Sequence, residues 1–189
     1  MKKFSKVSSN DSLRPVLAYA QVKNGFFYAT NCHVLVKIPV SEVLGNNELI
    51  SNDEEIYFNA KQWDSQKFYK AVIITREGNI FKAYDKKVNL IGMIEGMNAE
   101  EFNNKVGKFY DCEAILPLDS KPIESIKGFS MHPEYYFNVC ECLEPENNAG
   151  IYMQFYGTTK ATILKSTTSG GIGLIMPRFN SQVETIQEG

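Results

Sequence analysis

The chain has 189 residues, of which 43% are hydrophobic, and it carries a formal net charge of −2 with a pI near 5.8. This composition is typical of a soluble globular protein of one or two domains. The chain has no overall positive charge that would indicate a nucleic-acid partner. No stretch approaches the roughly 20 apolar residues of a membrane helix, and residues 1–5 are not followed by the apolar run of a signal peptide. We therefore expect a cytoplasmic protein without a membrane partner.

The first predicted elements form an antiparallel meander. Asn24-Gly25 separates two apolar runs, residues 17–22 and 26–29, and this dipeptide is a strong signal for a two-residue hairpin turn. Residues 33–40 predict a third strand. Residues 46–55 are polar and have no periodicity, which indicates a loop.

One pattern, a strand followed by a short helix and three more strands, then occurs twice. Glycine-containing turns separate the strands of each copy. The first copy comprises residues 56–58, 60–71, 72–75, 80–84 and 88–94. The second copy comprises residues 123–129, 132–143, 151–156, 161–164 and 172–176. The sequence therefore predicts a repeated βαβββ unit with mostly antiparallel sheets.

The two predicted helices each have one apolar face, which we expect to bury against the sheets. Pro133 suits the first turn of the second helix. Its predicted buried face consists of Tyr136, Val139, Cys140 and Leu143, and its outward face shows Glu134, Asn138 and Glu141. The predicted buried face of the first helix consists of Ala60, Trp63, Phe68 and Ala71.

The sequence contains no arrangement typical of a catalytic or metal site. Cys32 and His33 are neighbours on a strand, so their side chains would project to opposite faces and could not pair. Cys140-Glu141-Cys142 is too closely spaced for zinc ligands, and all four cysteines are expected to be free thiols. The acidic residues 53–55 and 100–101 lie in polar runs that indicate solvated loops. We predict a protein that is not an enzyme and that has no metal or cofactor.

Four segments, in this order, resemble the bacterial sliding clamp, the beta subunit of the replicative DNA polymerase. They are residues 12–17 (SLRPVL), 29–35 (ATNCHVL), 107–117 (GKFYDCEAILP) and 173–178 (GLIMPR). The resemblance implies an α+β, DNA-clamp-like fold with repeated βαβββ units and two short helices on one side of the sheets. It also implies two domains: residues 1–118 would be a clamp domain that lacks its first helix, and residues 119–189 would be half of the next domain.

The resemblance further implies a pocket that binds short linear peptides of replication or repair proteins. By position, one wall would consist of Leu17, Thr30, Cys32, His33, Val34 and Leu35, with Pro117 at the hinge and Ile175, Met176 and Pro177 on the other wall. Two positions depart from the family. Cys32 stands where the family commonly has glycine, and Val34 stands where it commonly has arginine.

The resemblance also raises the alternative of a genuine sliding clamp that closes a ring by self-association and encircles DNA. Clamps line their central hole with basic helices, whose charges attract phosphates. Lys61, Lys67 and Lys70 would be the DNA-facing residues here, but Glu134 and Glu141 lie on the outward face of the second helix. We therefore expect weak DNA binding, and we place peptide binding first. A third hypothesis, an enzyme that uses Cys32 and His33, has the least support.

Overall fold

The computed structural model describes residues 3–45, 48–66, 68–117, 121–123, 129–144, 150–157 and 159–178. In this part of the chain, eleven strands form an antiparallel sheet of eight strands and a second sheet of three. The strands are β1 (Tyr19–Lys23), β2 (Phe26–Thr30), β3 (Val34–Pro39), β4 (Ile56–Asn59), β5 (Ile73–Glu77), β6 (Ile80–Tyr84), β7 (Leu90–Glu95), β8 (Met97–Asn98), β9 (Ile151–Gln154), β10 (Thr162–Ser166) and β11 (Ile172–Ile175). The α-helices are α1 (Val40–Leu44), α2 (Ala60–Ser65), α3 (Ala99–Lys105), α4 (Cys112–Ile115) and α5 (Pro133–Leu143).

The eight-stranded sheet has the order β8-β4-β1-β2-β3-β11-β10-β9. Its β1–β2 hairpin turns at Asn24 and Gly25, whose φ angles of 51° and 79° are the positive values that a tight hairpin turn requires, as predicted. Strand β11 pairs with β3 in an antiparallel register that sets Ile175 opposite Val34. Through this pair, the last strand of the second copy of the repeat joins the N-terminal meander in one sheet.

The eight-stranded sheet buries side chains on both faces, because successive residues of a strand point to opposite sides. On one face, Val34, Val36 and Ile38 of β3 belong to the helix-side core, which includes Trp63 of α2 and Val139 of α5. On the other face lies the outer core, which consists of Val16, Leu17, Tyr28, Leu35, Tyr57, Phe102, Phe109, Cys112, Leu116, Tyr156, Ile163 and Leu174. Both principal helices therefore pack on the same side, as predicted.

The βαβββ repeat is confirmed with two differences. Strand β4, helix α2 and strands β5 to β7 form the first copy. Helix α5 and strands β9 to β11 form the helix and the last three strands of the second copy. The predicted strand 123–129 falls mostly outside the described residues. Helix α2 ends at Ser65 instead of residue 71, because the chain turns to an extended conformation at Gln66 and continues as a 3-10 turn from Phe68 to Lys70. The Gln66 side chain accepts a hydrogen bond from Met93 N of β7 at 3.0 Å.

A short 3-10 turn, Phe4–Lys6, contacts both α2 and α5. Phe4 is fully buried, and its ring stacks on Phe27 at a centroid distance of 5.2 Å. The Asp64 carboxylate of α2 accepts hydrogen bonds from Phe4 N at 3.1 Å and Ser5 N at 3.0 Å. Burial raises the pKa of Asp64, and these hydrogen bonds oppose the shift. The resemblance implied that the N-terminal domain lacks its first helix. In the structure, the Phe4 side chain of this short turn packs on the N-terminal meander.

Helices α1, α3 and α4 were not predicted, and the expectation that residues 100–101 lie in a solvated loop is wrong. Both glutamates lie in the first turn of α3, where Asn98 accepts a hydrogen bond from Glu101 N at 2.9 Å. Acidic side chains stabilise this end of a helix. Phe102 anchors α3, because its ring stacks on Tyr57 at 3.8 Å in the outer core. Helix α3 therefore packs on the side of the sheet opposite α2 and α5.

Candidate functional site

The turn between β2 and β3 is fixed by its own side chains. The Thr30 hydroxyl donates to the Val34 carbonyl at 2.7 Å and accepts from Cys32 N at 3.1 Å. The Asn31 side-chain oxygen accepts from His33 N at 2.9 Å and from Val34 N at 3.0 Å. These local hydrogen bonds satisfy the backbone donors of the turn, so Cys32 and His33 are presented at its tip.

Cys32 adopts a left-handed backbone conformation with φ of 72°. A non-glycine residue pays about 1–2 kcal/mol for this conformation, because its Cβ crowds the neighbouring carbonyl oxygen. The position therefore favours glycine, which is the residue that the clamp family commonly has there.

We expect Cys32→Gly to raise the free energy of unfolding by about 0.5–1 kcal/mol, because relief of the backbone strain exceeds the extra freedom of the unfolded chain. Cys32→Val should lower it by about 1 kcal/mol or more, because a β-branched side chain fits a positive φ poorly. Urea denaturation of both variants measures the difference. Equal stabilities for the two variants would show that Cys32 is not strained.

The end of β11 lies beside this turn. Met176 N donates a hydrogen bond to the His33 carbonyl at 2.9 Å, and Arg178 N donates to the Ser130 carbonyl at 2.8 Å. Residues 176–178 are thereby held between the β2–β3 turn and the segment that leads into α5. The Met176 side chain is 40% exposed. An apolar, flexible side chain is thus presented to solvent on a backbone that is fixed on both sides.

The side chains of Cys32 and His33 contact different elements. The His33 ring stacks on Tyr135 of α5, with a centroid distance of 5.5 Å and an angle of 13° between the rings. The Cys32 thiol instead lies beside Tyr110 and Arg14. Loss of hydration raises the pKa of Tyr110, and the hydrogen bond between Tyr110 and Cys32 raises it further. A nucleophile and its base must lie within hydrogen-bond reach of each other. Cys32 and His33 instead contact different neighbours, so they do not form such a pair.

Only part of the predicted pocket is accessible. Leu17 and Leu35 are buried in the outer core with Leu174, whereas Val34 and Ile175 are buried in the helix-side core on the opposite face. Thr30 is also buried. Exposed or half-exposed are Cys32, His33, Pro117, Met176 and Pro177. The structure brings the turn residues Cys32 and His33 together with Met176 and Pro177 at the end of β11. We call these four residues the Met176 site, and the buried members of the prediction lie in the two cores below it.

Two exposed residues beside Cys32 were not predicted: Arg14 and Tyr110. Both lie within the sequence segments 12–17 and 107–117 that carry the resemblance. Arg14 forms an ion pair with Asp11 at 2.8 Å, and the side chains of Arg14 and Tyr110 both lie near Cys32. These residues could have been identified from their position in the resembling segments, but not from their side-chain chemistry.

The helix side of the sheets carries charges of both signs. Lys61 and Lys70 are exposed, and Lys67 lies outside the described residues. Glu141 of α5 forms ion pairs with Lys3 at 3.0 Å and Lys6 at 4.0 Å. The hydrogen bond from Lys3 lowers the pKa of Glu141. Its negative charge is therefore balanced by the N-terminal lysines, a compensation that the helical spacing of α5 alone could not reveal.

Within the described ranges, no cluster of three or more histidine, cysteine, aspartate or glutamate side chains is arranged to hold a metal ion. In the same part of the chain, no helix is both long and apolar enough to span a bilayer. The four cysteines are free thiols.

No protein-family model matches the chain, and no curated protein matches it. Many solved structures resemble it, including three beta subunits of DNA polymerase III. The beta chain of DNA polymerase III from Streptococcus pneumoniae is 13% identical, with a TM-score of 0.57 over 94% of this chain and 61% of that one. The beta subunit from Thermotoga maritima is 17% identical, with a TM-score of 0.56 over 98% of this chain and 64% of that one.

The third structure, the beta subunit from Borrelia burgdorferi in complex with a natural product, is 12% identical, with a TM-score of 0.51 over 94% of this chain and 60% of that one. The chain therefore has the fold of DNA polymerase III beta subunits, the bacterial sliding clamps. It spans less than two thirds of the length of these three proteins.

Proposed function

We propose that this protein is a non-enzymatic, clamp-like binding module associated with DNA replication, and that it binds short linear peptides of partner proteins at the Met176 site. The observation that carries the proposal is the exposed Met176, which is hydrogen-bonded through its backbone to the β2–β3 turn. Methionine suits a peptide site because its flexible, polarisable side chain adapts to different ligand side chains.

The arrangement around Met176 supports this proposal. Hydrogen bonds from the side chains of Thr30 and Asn31, and the one from Met176 N to the His33 carbonyl, fix the backbone of the site. The entropic cost of ordering this backbone when a peptide binds is therefore small. Leu17 and Leu35 are fully buried and belong to the core that supports the turn. Peptide anchors would therefore contact Met176 and the exposed side chains around it, and not the predicted leucines. The Borrelia burgdorferi protein binds a natural product, which is consistent with a ligand site on this fold.

A peptide that carries glutamine followed by leucine and phenylalanine anchors is the appropriate probe. Each apolar anchor gains about 1.5–3 kcal/mol when fully buried, and ordering of the peptide offsets part of this gain, so we expect a roughly micromolar Kd. Met176→Ala should raise the Kd about five- to tenfold, because it removes contact area at the centre of the site. Isothermal titration calorimetry measures both values.

Met93 provides the matched control, because it is also an exposed methionine, on strand β7 of the three-stranded sheet. Met93→Ala should leave the Kd unchanged, as should Lys61→Ala. If Met93→Ala weakened the peptide as much as Met176→Ala, the Met176 site would not be where the peptide binds.

A ring-forming sliding clamp is the second candidate function. The charge balance on the helix side supports it, because Lys3 and Lys6 compensate the negative charge of Glu141, and Lys61 of α2 adds an exposed positive charge on the same side of the sheet. We nevertheless expect a monomer that binds duplex DNA weakly at physiological salt. Light scattering with and without duplex DNA measures both properties. A closed oligomer, with a DNA affinity that falls steeply as salt rises and that is lost in Lys61→Glu, would establish the ring instead.

A further inference from the structure

The three-stranded sheet carries an exposed apolar patch on one of its faces. Its strands pair so that Phe81, Ala83 and Ile94 point to one side, into the helix-side core. The residues that alternate with them point to the other side, which we call the Leu90 face. Twelve large hydrophobic side chains are exposed in the described part of the chain, and five of them lie on this sheet or next to it: Val72, Ile73, Val88, Leu90 and Met93. Such clustering marks an interaction surface.

The Leu90 face consists of three rows of residues that run across the strands. The row nearest the β6–β7 turn is apolar and aromatic, with Tyr84 of β6 between Ile73 of β5 and Leu90 of β7. The other two rows are mixed, and they consist of Thr75, Lys82 and Met93, then Glu77, Ile80 and Glu95. The eight-stranded sheet differs, because side chains on both of its faces belong to a core.

The turn end of the Leu90 face is positively charged. Lys86 and Lys87 are exposed in the β6–β7 turn, next to the apolar row. The Asp85 carboxylate holds this turn by accepting hydrogen bonds from Lys87 N at 2.8 Å and Asn89 N at 2.9 Å. Two lysines and one aspartate leave a net charge of +1. Val88 of the same turn is 65% exposed and has a φ angle of 63°, which is unfavourable for a β-branched residue.

The opposite end of the Leu90 face is negatively charged. Glu77 and Glu95 lie at the two sides of the far row, and Nζ of Lys82 is 2.8 Å from Oε2 of Glu77. With this ion pair counted, two glutamates and one lysine leave a net charge of −1. Lys105, which lies near Glu95, does not change this sum, because it is paired with Glu101 at 2.6 Å. The face therefore has ends of opposite charge.

This charge pattern favours a second copy of the same face as the covering layer. Two sheets can stack with their strands nearly aligned and about 10 Å apart. A two-fold axis along the apolar row sets this row on the same row of the partner and makes the strands antiparallel. Lys86 and Lys87 of each copy then lie over the mixed rows that contain the partner's Glu77 and the partner's Glu95. A two-fold axis along the strands would instead bring the lysines of both copies together.

We propose that two copies of this chain associate weakly through the Leu90 face, stacked face to face with antiparallel strands. The five exposed apolar side chains offer on the order of 500 Å² per copy, against about 800 Å² per partner in an interface of standard size. We therefore expect a Kd on the order of 0.1–1 mM, so that the protein is a monomer at about 10 µM. This inference does not depend on peptide binding at the Met176 site, and the contact joins sheet faces and not the strand edges of a ring.

Sedimentation equilibrium of the full chain between about 20 µM and 2 mM, a range that brackets this Kd, is the test. We expect the average mass to rise from that of a monomer toward that of a dimer. Leu90→Asp should raise the Kd about tenfold or more, because it buries an unpaired charge in the apolar row. Leu90 is 54% exposed in the monomer, so the change leaves the core intact. Leu13→Asp, the same change at a position that is 89% exposed, should leave the Kd unaltered.

A charge exchange tests the antiparallel arrangement. One double variant combines Lys86→Glu with Lys87→Glu, and the other combines Glu77→Lys with Glu95→Lys. Each should associate about fivefold or more weakly than the unchanged protein, because like charges then meet across the contact. In an equimolar mixture of the two variants, opposite charges meet at both ends, so the association should return to that of the unchanged protein.

Four results would each overturn the proposal. A monomeric mass up to about 2 mM would leave the Leu90 face for a partner of another kind. Masses beyond that of a dimer would mean that a different contact joins the copies. The other two results are equal effects of Leu90→Asp and Leu13→Asp, and a mixture of the charge variants that associates no better than its components. The peptide titrations are scored separately, because they use protein at concentrations well below this Kd.

Discussion

Phe4→Ala should lower the free energy of unfolding by about 3–5 kcal/mol, which is the usual cost of removing a fully buried aromatic side chain. Phe4 is fully buried, stacks on Phe27 and meets Trp63 edge-on at a centroid distance of 6.0 Å. It is the side chain by which the short N-terminal turn covers the meander, so its loss leaves a cavity between α2 and the sheet. Chemical denaturation monitored by the fluorescence of the single tryptophan measures the change.

Phe137 supplies the matched control, because it lies on α5 and is 67% exposed. Phe137→Ala should change the stability by less than about 0.5 kcal/mol, as is usual for surface substitutions. A Phe4→Ala variant as stable as Phe137→Ala would mean that the N-terminal turn contributes nothing to the core.

Gly173→Ala should lower the free energy of unfolding by about 1–3 kcal/mol through overpacking. A Cβ at this position of β11 would lie 2.3 Å from Cγ1 of Val139 on α5 and 3.2 Å from Cδ1 of Leu143. Valine has one strongly preferred rotamer in a helix, so Val139 cannot turn away cheaply. The helix would have to move off the strand that leads to Met176. Thermal and urea denaturation measure the effect.

Two further variants test this mechanism. Gly150→Ala would place its Cβ 3.6 Å from Cγ2 of Thr167, an ordinary contact, and should change the stability by less than about 1 kcal/mol. In the double variant Gly173→Ala with Val139→Ala, the two losses should not add, because removal of the valine methyl groups makes room for the new one. Full additivity would contradict the proposed contact.

Much of the fold could be predicted from periodicity alone. The Asn24-Gly25 turn, both principal helices and the βαβββ repeat follow from local patterns that the structure obeys. Helix α3 was missed because Phe102 is its only fully buried residue, although Asn98 and Glu101 have the spacing of a helix N-cap. The predicted buried face of α5 omitted Cys142, which is fully buried.

The candidate site was harder to predict, because the four matching segments do not show on which face of the sheet each side chain lies. Val34 and Ile175 are opposite each other on β3 and β11, and both point into the helix-side core. The alternation of the strands could have separated them from Leu35 and Leu174, which point to the outer core. The pairing of Glu113 with Tyr28 joins residues 85 positions apart, and no local pattern encodes such a contact.

The most direct test of peptide binding at the Met176 site is an NMR titration of the labelled protein with the leucine and phenylalanine peptide. The proposal predicts saturable shifts at Thr30, His33 and Met176, which lie together at the ends of β2, β3 and β11, with a roughly micromolar Kd. The absence of shifts at these three residues with the peptide at about 1 mM, far above that Kd, would contradict it and leave the clamp fold without an assigned ligand.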